Sequence, residues 1–315
     1  MKLLGAVVAA AVIAFTALTI ATAGEVTAPP GTTLVARAAA EPAGTTFLLA
    51  AGTYTVGQSV PVQSGDRFVG AGRDVTIING QGVKLVVDAE SASNATLKDL
   101  TVRGARGTEA CKPKCGRGAI FGPAGRVSGV RFTDNSNQGI GGSAAGLVVV
   151  DSLFDHNGSA PFNGCCGGGI KGVEGFTLLR STVRDNVGNG VWCDRACPGG
   201  LVVEDSLIEN NTRNGIHYEV SRGDTHFTGN IIRANNSEGA GDKGGIKITG
   251  SQNVDVSDND IYGNRVNAIR VSKCSRNKTG DGSCLPLQSI TIHDNRVVGR
   301  IVGCGLSGVT CRDNS

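Results

Sequence analysis

Several things are scarce or missing in this sequence, and each absence removes a class of protein. Aromatic residues are few, with one Trp, three Tyr and nine Phe, so the core must be thin and filled by Val, Ile and Leu. No segment of the repetitive region carries a convincing 3.6-residue hydrophobic period, which argues against helical repeats. Leu at fixed offsets is absent, which argues against a leucine-rich repeat. Charge is nearly balanced: 30 Lys and Arg stand against 27 Asp and Glu, for a formal charge of +3. A nucleic-acid binder normally carries a stronger basic excess, so that partner is not expected. Beyond the first residues no apolar run is long enough to span a bilayer. Nothing resembles a phosphate-binding loop, a nucleotide site or a Ser/His/Asp signature.

What is abundant is Gly, with 48 residues, and a repeated phrase. An apolar residue is followed by two variable positions, Asn, a short polar gap, then Gly with Ile or Val. It appears as Phe132…Asn135…Gly139-Ile140, Val183…Asn186…Gly190-Val191, Ile208…Asn211…Gly215-Ile216 and Ile232…Asn235…Gly245-Ile246. It recurs with Ala for Gly as Ile261…Asn264…Ala268-Ile269. The series Asn135, Asn157, Asn186, Asn211, Asn235 and Asn264 steps by 22, 29, 25, 24 and 29 residues, the period of a solenoid. A second series precedes it at Ser152, Ser181, Ser206, Asn230, Asn259 and Asn295. Within each repeat, runs such as Leu201-Val-Val-Glu-Asp-Ser-Leu-Ile208 and Val254-Asp-Val-Ser-Asp-Asn-Asp-Ile261 show period-two alternation, the pattern of half-buried strands. The expectation is an all-β parallel β-helix with two or three short strands per coil and coils about 4.8 Å apart. Asn tolerates the left-handed conformation of a sharp corner. Stacked there, its amides can form a ladder along the axis.

Lys2, the apolar stretch Leu3 to Ile20 and the small residues Ala21-Thr-Ala23 read as a secretory signal peptide over 1–23, with a membrane anchor as the alternative. One domain is expected over 24–315, secreted and monomeric, with no membrane span after signal cleavage. Ten Cys in a secreted chain suggest disulfides. The near pairs are Cys111 and Cys115, Cys193 and Cys197, Cys274 and Cys284, and Cys304 and Cys311. Adjacent Cys165 and Cys166 are expected to bond to different partners. Zinc is not expected, because the CxxxC spacings lack a second pair and His residues. Gly24 to Gly31 reads as a Pro-containing linker. Thr32 to Glu41 reads as a short helix capping the first coil, with the stack starting at Thr46-Phe-Leu-Leu49.

The stretch from Leu34 to Tyr54, with Ser64-Gly-Asp-Arg-Phe-Val-Gly-Ala-Gly72 and Ile77-Ile-Asn-Gly80 after it, resembles the opening of the pectate-lyase-like right-handed β-helix superfamily. Gly167-Gly-Gly-Ile-Lys171, Gly190-Val-Trp-Cys-Asp194 and Gly215-Ile-His-Tyr-Glu-Val-Ser221 are similar to its secreted bacterial branch of parallel β-helix repeats. The resemblance covers nearly the whole mature chain and implies right-handed winding. It implies no single reaction, since the superfamily includes lyases, hydrolases, epimerases and members with no assigned activity.

Strand geometry turns the repeat into a surface map. In each Gly-Ile pair the Ile points inward, so the next residue points out, as does the one two further on. One outward row is then Lys171, Trp192, His217, Lys247 and Arg270, and the adjacent one is Val173, Asp194, Glu219, Thr249 and Ser272. Cations suit the carboxylates of an acidic polysaccharide, and Trp192 offers a flat face for a sugar ring. His217 or Lys247 can act as base in a β-elimination, and Arg270 can clamp a uronate carboxylate. Asp194 and Glu219 can bind Ca²⁺, orient His217, or serve as a hydrolase's acid and nucleophile. No dense Asp cluster falls on one row, so a calcium site is not obvious. Insertions at Thr108 to Arg117, Ser159 to Cys166, Glu238 to Lys243 and Ser272 to Pro286 are placed to wall the row. The plain alternative is cross-coil ion pairing, Lys247 with Glu219 for example, as expected for the charge ladder Asp151, Arg180, Asp205. The expectation is a secreted carbohydrate-active β-helix, lyase-like in preference to hydrolase or epimerase. The rival is a non-catalytic wall-associated or adhesive module at the cell surface, using the same face to bind a cell-wall glycan.

Overall fold

The computed structural model describes residues 23–112, 115–143, 145–162, 166–274 and 284–315. The expected signal segment up to Thr22, Cys165, and parts of three insertions lie outside the described residues. Alternating runs become three short strands per coil. In one coil these are Leu201–Glu204, Leu207–Glu209 and Ile216–Ser221. The chain visits a first, a second and a third sheet in turn, then begins the next coil. Among the described residues the sheets hold 12, 10 and 10 strands, and each strand pairs in parallel with its counterparts one coil away.

Register makes the interior a set of columns. Val60, Val87, Ala119, Ile140, Ile170, Val191, Ile216, Ile246 and Ile269 follow one another along the third sheet, and all are buried. Two phenylalanine pairs, Phe47 on Phe68 and Phe132 on Phe154, stack along other columns with ring centroids 4.5 and 5.0 Å apart. So narrow a core is filled largely by Val, Ile and Leu, which accounts for the scarcity of large rings.

The Asn series forms the expected ladder. Asn135 Nδ2 donates to Asn157 Oδ1 at 3.0 Å, and the pattern repeats through Asn186, Asn211, Asn235 and Asn264. The second series forms another, from Ser152 through Ser181 and Ser206 to Asn230, Asn259, Asn295 and Asn314. The expectation that Asn itself is left-handed is corrected. The positive φ, 54°, falls one place earlier, at Asp134, His156, Asp185, Asn210 and Ala234. The reason is directional: the left-handed residue turns the chain, and the next side chain then points inward, where only a fully bonded amide is tolerated. Asp151, Arg180 and Asp205 hold the equivalent left-handed places in the second ladder. Arg180 Nε donates to Asp151 Oδ1 at 3.0 Å on the exposed side, one pair of the expected charge ladder.

The linker expected over Gly24 to Gly31 is also corrected. Glu25–Ala28 is a strand that pairs in register with Thr46–Leu49. It is the outermost strand of its sheet, so its four residues show little alternation, and Pro29 and Pro30 end it. The helix Leu34–Ala40 is as expected. It buries Leu34 and Ala38 and packs against Val60–Pro61, the end strand of the third sheet. Gln63 Nε2 donates to Glu41 O at 2.7 Å and ties down the helix end. The four near Cys pairs are disulfides, and Cys166 is disulfide-bonded as well. Among the described residues no helix is long and apolar enough to cross a membrane.

Candidate functional site

The outward row falls in one line on the third sheet. Lys171 pairs with Trp192, Trp192 with His217, His217 with Lys247, and Lys247 with Arg270. In the adjacent row Asp194 pairs with Glu219, Glu219 with Thr249, and Thr249 with Ser272. Val173 lies just beyond its strand, which ends at Gly172. Period-two alternation, carried from coil to coil, therefore brings all seven expected site residues together.

Their exposure differs from the expectation. His217, Asp194 and Glu219 are buried, His217 only 7% exposed. The side chains leave the sheet outward, but neighbours one coil away cover them. Trp192 and His217 stack with centroids 5.7 Å apart and planes 15° apart. Lys171 Nζ lies 3.5 Å from the Trp192 ring centroid. Both contacts lie along the row, so both faces of the indole are occupied. Trp192 therefore offers an edge, not a platform, and the expectation of sugar stacking on its face is corrected.

Lys171 Nζ also donates to Asp194 Oδ2 at 3.0 Å. Burial lowers the Lys171 pKa, with Asp194 opposing the shift. Lys247 pairs not with Glu219 but with Asp242, Nζ to Oδ2 2.6 Å. Lys247 holds the Asp242 carboxyl below the ordinary carboxylate range. Asp242 belongs to the insertion 238–243, which sequence reasoning placed at the site only as a wall. The same insertion brings Glu238 to Arg213 and Lys243, each at 3.4 Å. The insertions 108–117, 159–166 and 238–243 each precede a strand of the third sheet, and 272–286 follows one. The described residues of these insertions therefore flank the two ends of the row's strands.

Arg117 was missed. It lies at the start of its strand, paired with Leu85 rather than on the row. Its side chain lies over Gly141, the residue that pairs with Lys171. Arg117 Nε donates to Gln138 Oε1 at 3.1 Å. A Cβ on Gly141 would stand 2.4 Å from Gln138 Oε1 and 2.9 Å from Arg117 Nε. A glycine at that row position thus makes room for the guanidinium, whose pKa burial lowers while Glu90 opposes the shift. The only available signal was Gly141 standing in the outward row.

Buried polar atoms without a hydrogen-bond partner gather here: Trp192 Nε1, Asp194 Oδ1, His217 Nε2 and Arg270 Nε. Such atoms cost roughly 1–3 kcal/mol each when nothing satisfies them, so their concentration on two adjacent rows makes this the candidate site for a ligand or ordered water. His217 is neutral at ordinary pH. Burial first, then the charges of Lys247 and Lys171, push its pKa well below 6.5. Glu219 Oε2 stands 3.8 Å from Nδ1, too far for a hydrogen bond. When Nδ1 carries the proton, the lone pair lies on Nε2. Asp194 already holds Lys171, and among the described residues no group of three His, Cys, Asp or Glu could hold a metal ion. A pocket of about 290 Å³ lined by Asp260, Tyr262, Gly263, Arg296 and Val298 lies on the second sheet, away from this row.

Residues 85–242 match the family model described as a right handed beta helix region. Among solved structures, pectate lyase Pel9A is similar at 17% identity over 94% of this chain and 80% of that one, with a TM-score of 0.62. The Azotobacter vinelandii mannuronan C-5 epimerase AlgE6 A-module is similar at 17% identity over 89% and 84%, with a TM-score of 0.57. The alginate lyase from Paenibacillus sp. str. FPU-7 is similar at 13% identity over 91% and 99%, with a TM-score of 0.50. No curated protein matches by sequence. At these identities the likeness is one of fold.

Proposed function

The chain belongs to the right-handed β-helix family, and from that premise we propose that it binds an acidic polysaccharide along the row from Lys171 to Arg270, with the Arg117 side chain at its end, and cleaves it by β-elimination. The observation that carries this reading is the gathering of unpartnered buried polar atoms, Trp192 Nε1, His217 Nε2 and Arg270 Nε, between cations. The names of the similar structures, a pectate lyase, a mannuronan epimerase and an alginate lyase, support a polyuronide as the class of substrate. Disulfides in the described residues support an oxidising, extracellular setting, and the chain is read as a secreted monomer.

In this reading Arg270 and Lys247 hold the uronate carboxylate, and His217 Nε2 takes the proton alpha to it. The C–H electron pair forms the new double bond, and the bond to the glycosidic oxygen breaks. That oxygen leaves with the proton returned from the imidazolium. The cations that depress the His217 pKa also stabilise the enolate-like charge on the carboxylate as it develops. An arriving carboxylate offsets those cations and makes His217 a stronger base when substrate is bound. Lys171 and Arg117 bind neighbouring sugars. Because Nε2 is buried, neighbouring side chains must move before the sugar reaches it.

The test is a screen of polygalacturonate and alginate for the ultraviolet absorbance of unsaturated ends, on the wild type and on His217→Ala and Lys247→Ala. Product from the wild type, lost in both variants, is expected. An epimerised product without new absorbance would replace elimination by epimerisation. A second reading, a glycan-binding module without catalysis, draws on the ion pairs of Lys171 and Lys247. Binding with no product from any polyuronide would select it.

A further inference from the structure

We infer that Lys247 is the carboxylate subsite of this row, and that Asp242 occupies it in the unliganded chain as a stand-in for a uronate carboxylate. The inference rests on the function proposed above and names how its site is kept closed. The two partners differ in standing. The Lys247 side chain is 12% exposed and part of the wall, whereas Asp242 is 58% exposed and reaches in from solvent.

The loop that carries Asp242 does not need this contact to hold its shape. Ala240 N donates to Asn236 Oδ1 at 3.2 Å, and Asn236 Nδ2 donates back to Ala240 O at 3.0 Å. From the next coil, Asn267 Nδ2 donates to Gly241 O at 3.2 Å and to Lys243 O at 2.7 Å. With the backbone pinned on both sides, turning one side chain is enough to vacate Lys247. Lys243 Nζ, 3.8 Å from Asp242 Oδ1, stands ready to keep the displaced carboxylate. An incoming carboxylate would meet Lys247 and, one coil on, Arg270, whose buried Nε has no partner. Asp242 has the same functional group as a uronate, with the same charge and acceptor geometry. A neutral sugar offers nothing to displace it.

Trp192 is the only Trp in the chain and sits in the row, so its fluorescence reports binding. The experiment titrates the wild type, Asp242→Asn and Asp242→Glu with oligogalacturonate, oligomannuronate and methyl-esterified oligogalacturonate at low salt. Asp242→Asn should bind one of the charged oligomers about three- to fivefold more tightly than wild type, the span available to one partly exposed ion pair. Asp242→Glu should match wild type, and the methyl ester should not distinguish the three proteins. If the wild type binds a charged oligomer and Asp242→Asn binds it equally or more weakly, Asp242 is no competitor and the inference falls while the binding row stands. If no protein binds either charged oligomer, both fall.

Discussion

Replacing His217 by Gln should flatten the acid side of the stability curve, and the size of the effect follows from burial. In the unfolded chain this imidazole titrates near 6.5, whereas in the folded chain burial, Lys247 and Lys171 hold its pKa well below that. The unfolded state therefore takes up a proton that the folded state refuses. Stability is complete above the unfolded pKa and declines as the pH drops beneath it, at up to about 1.4 kcal/mol per pH unit. If the folded imidazole stays neutral down to about pH 5, the loss attributable to His217 there approaches about 2 kcal/mol. Urea unfolding of the wild type and His217→Gln at a series of pH values between about 8 and 5 isolates this share. Other groups titrate alike in both proteins and cancel, including His293, whose pKa Asp294 and Asp255 raise. The two free-energy curves should converge as pH falls, with wild type losing more. Parallel curves would show that His217 protonates in the folded state as it does in water, which would remove both its burial and its role as a neutral base.

Two further outcomes test the frame around the row. Asn211→Ala removes a side chain that accepts from Asn186 N and Nδ2 and donates to Val183 O, Glu209 O and Asn235 Oδ1. With several partners left unsatisfied in a fully buried corner, the expected loss is about 3–5 kcal/mol by urea unfolding, and a loss below about 1 kcal/mol would deny the ladder a structural role. Gly141→Ala places a methyl against the ends of two flexible side chains, Gln138 and Arg117. The fold should survive and the Arg117 guanidinium should shift, weakening oligogalacturonate binding measured by Trp192 fluorescence. Unchanged binding would place Arg117 outside the binding row.

Much of the site was legible because a strand has a period of two and each coil repeats the last. Once Ile216 and Ile246 were placed inward, His217 and Lys247 had to share an outward row, and the register of Trp192, Lys247 and Arg270 follows from the same alternation. The Asn positions were equally legible as a ladder, but their backbone conformation was misplaced by one residue. Composition marks which amide fills a corner, whereas the left-handed turn falls on its neighbour, where Asp134, Asp185 and Ala234 share no common chemistry. Glu25–Ala28 escaped notice because a four-residue strand at the end of a sheet carries too little pattern to read.

Local periodicity alone determined that this chain winds into a parallel β-coil and which side chains leave the same sheet face together, whereas the third side is a finding of the structure. The periodic information is carried by residues close in sequence and copied at each repeat. The burial of His217 between Trp192 and Lys247, the pairing of Lys247 with Asp242, and the reach of Arg117 over Gly141 were decided only in the tertiary structure. Each depends on how far a flexible side chain or an inserted loop extends across neighbouring coils, and the spacing of residues along the chain carries no record of that distance.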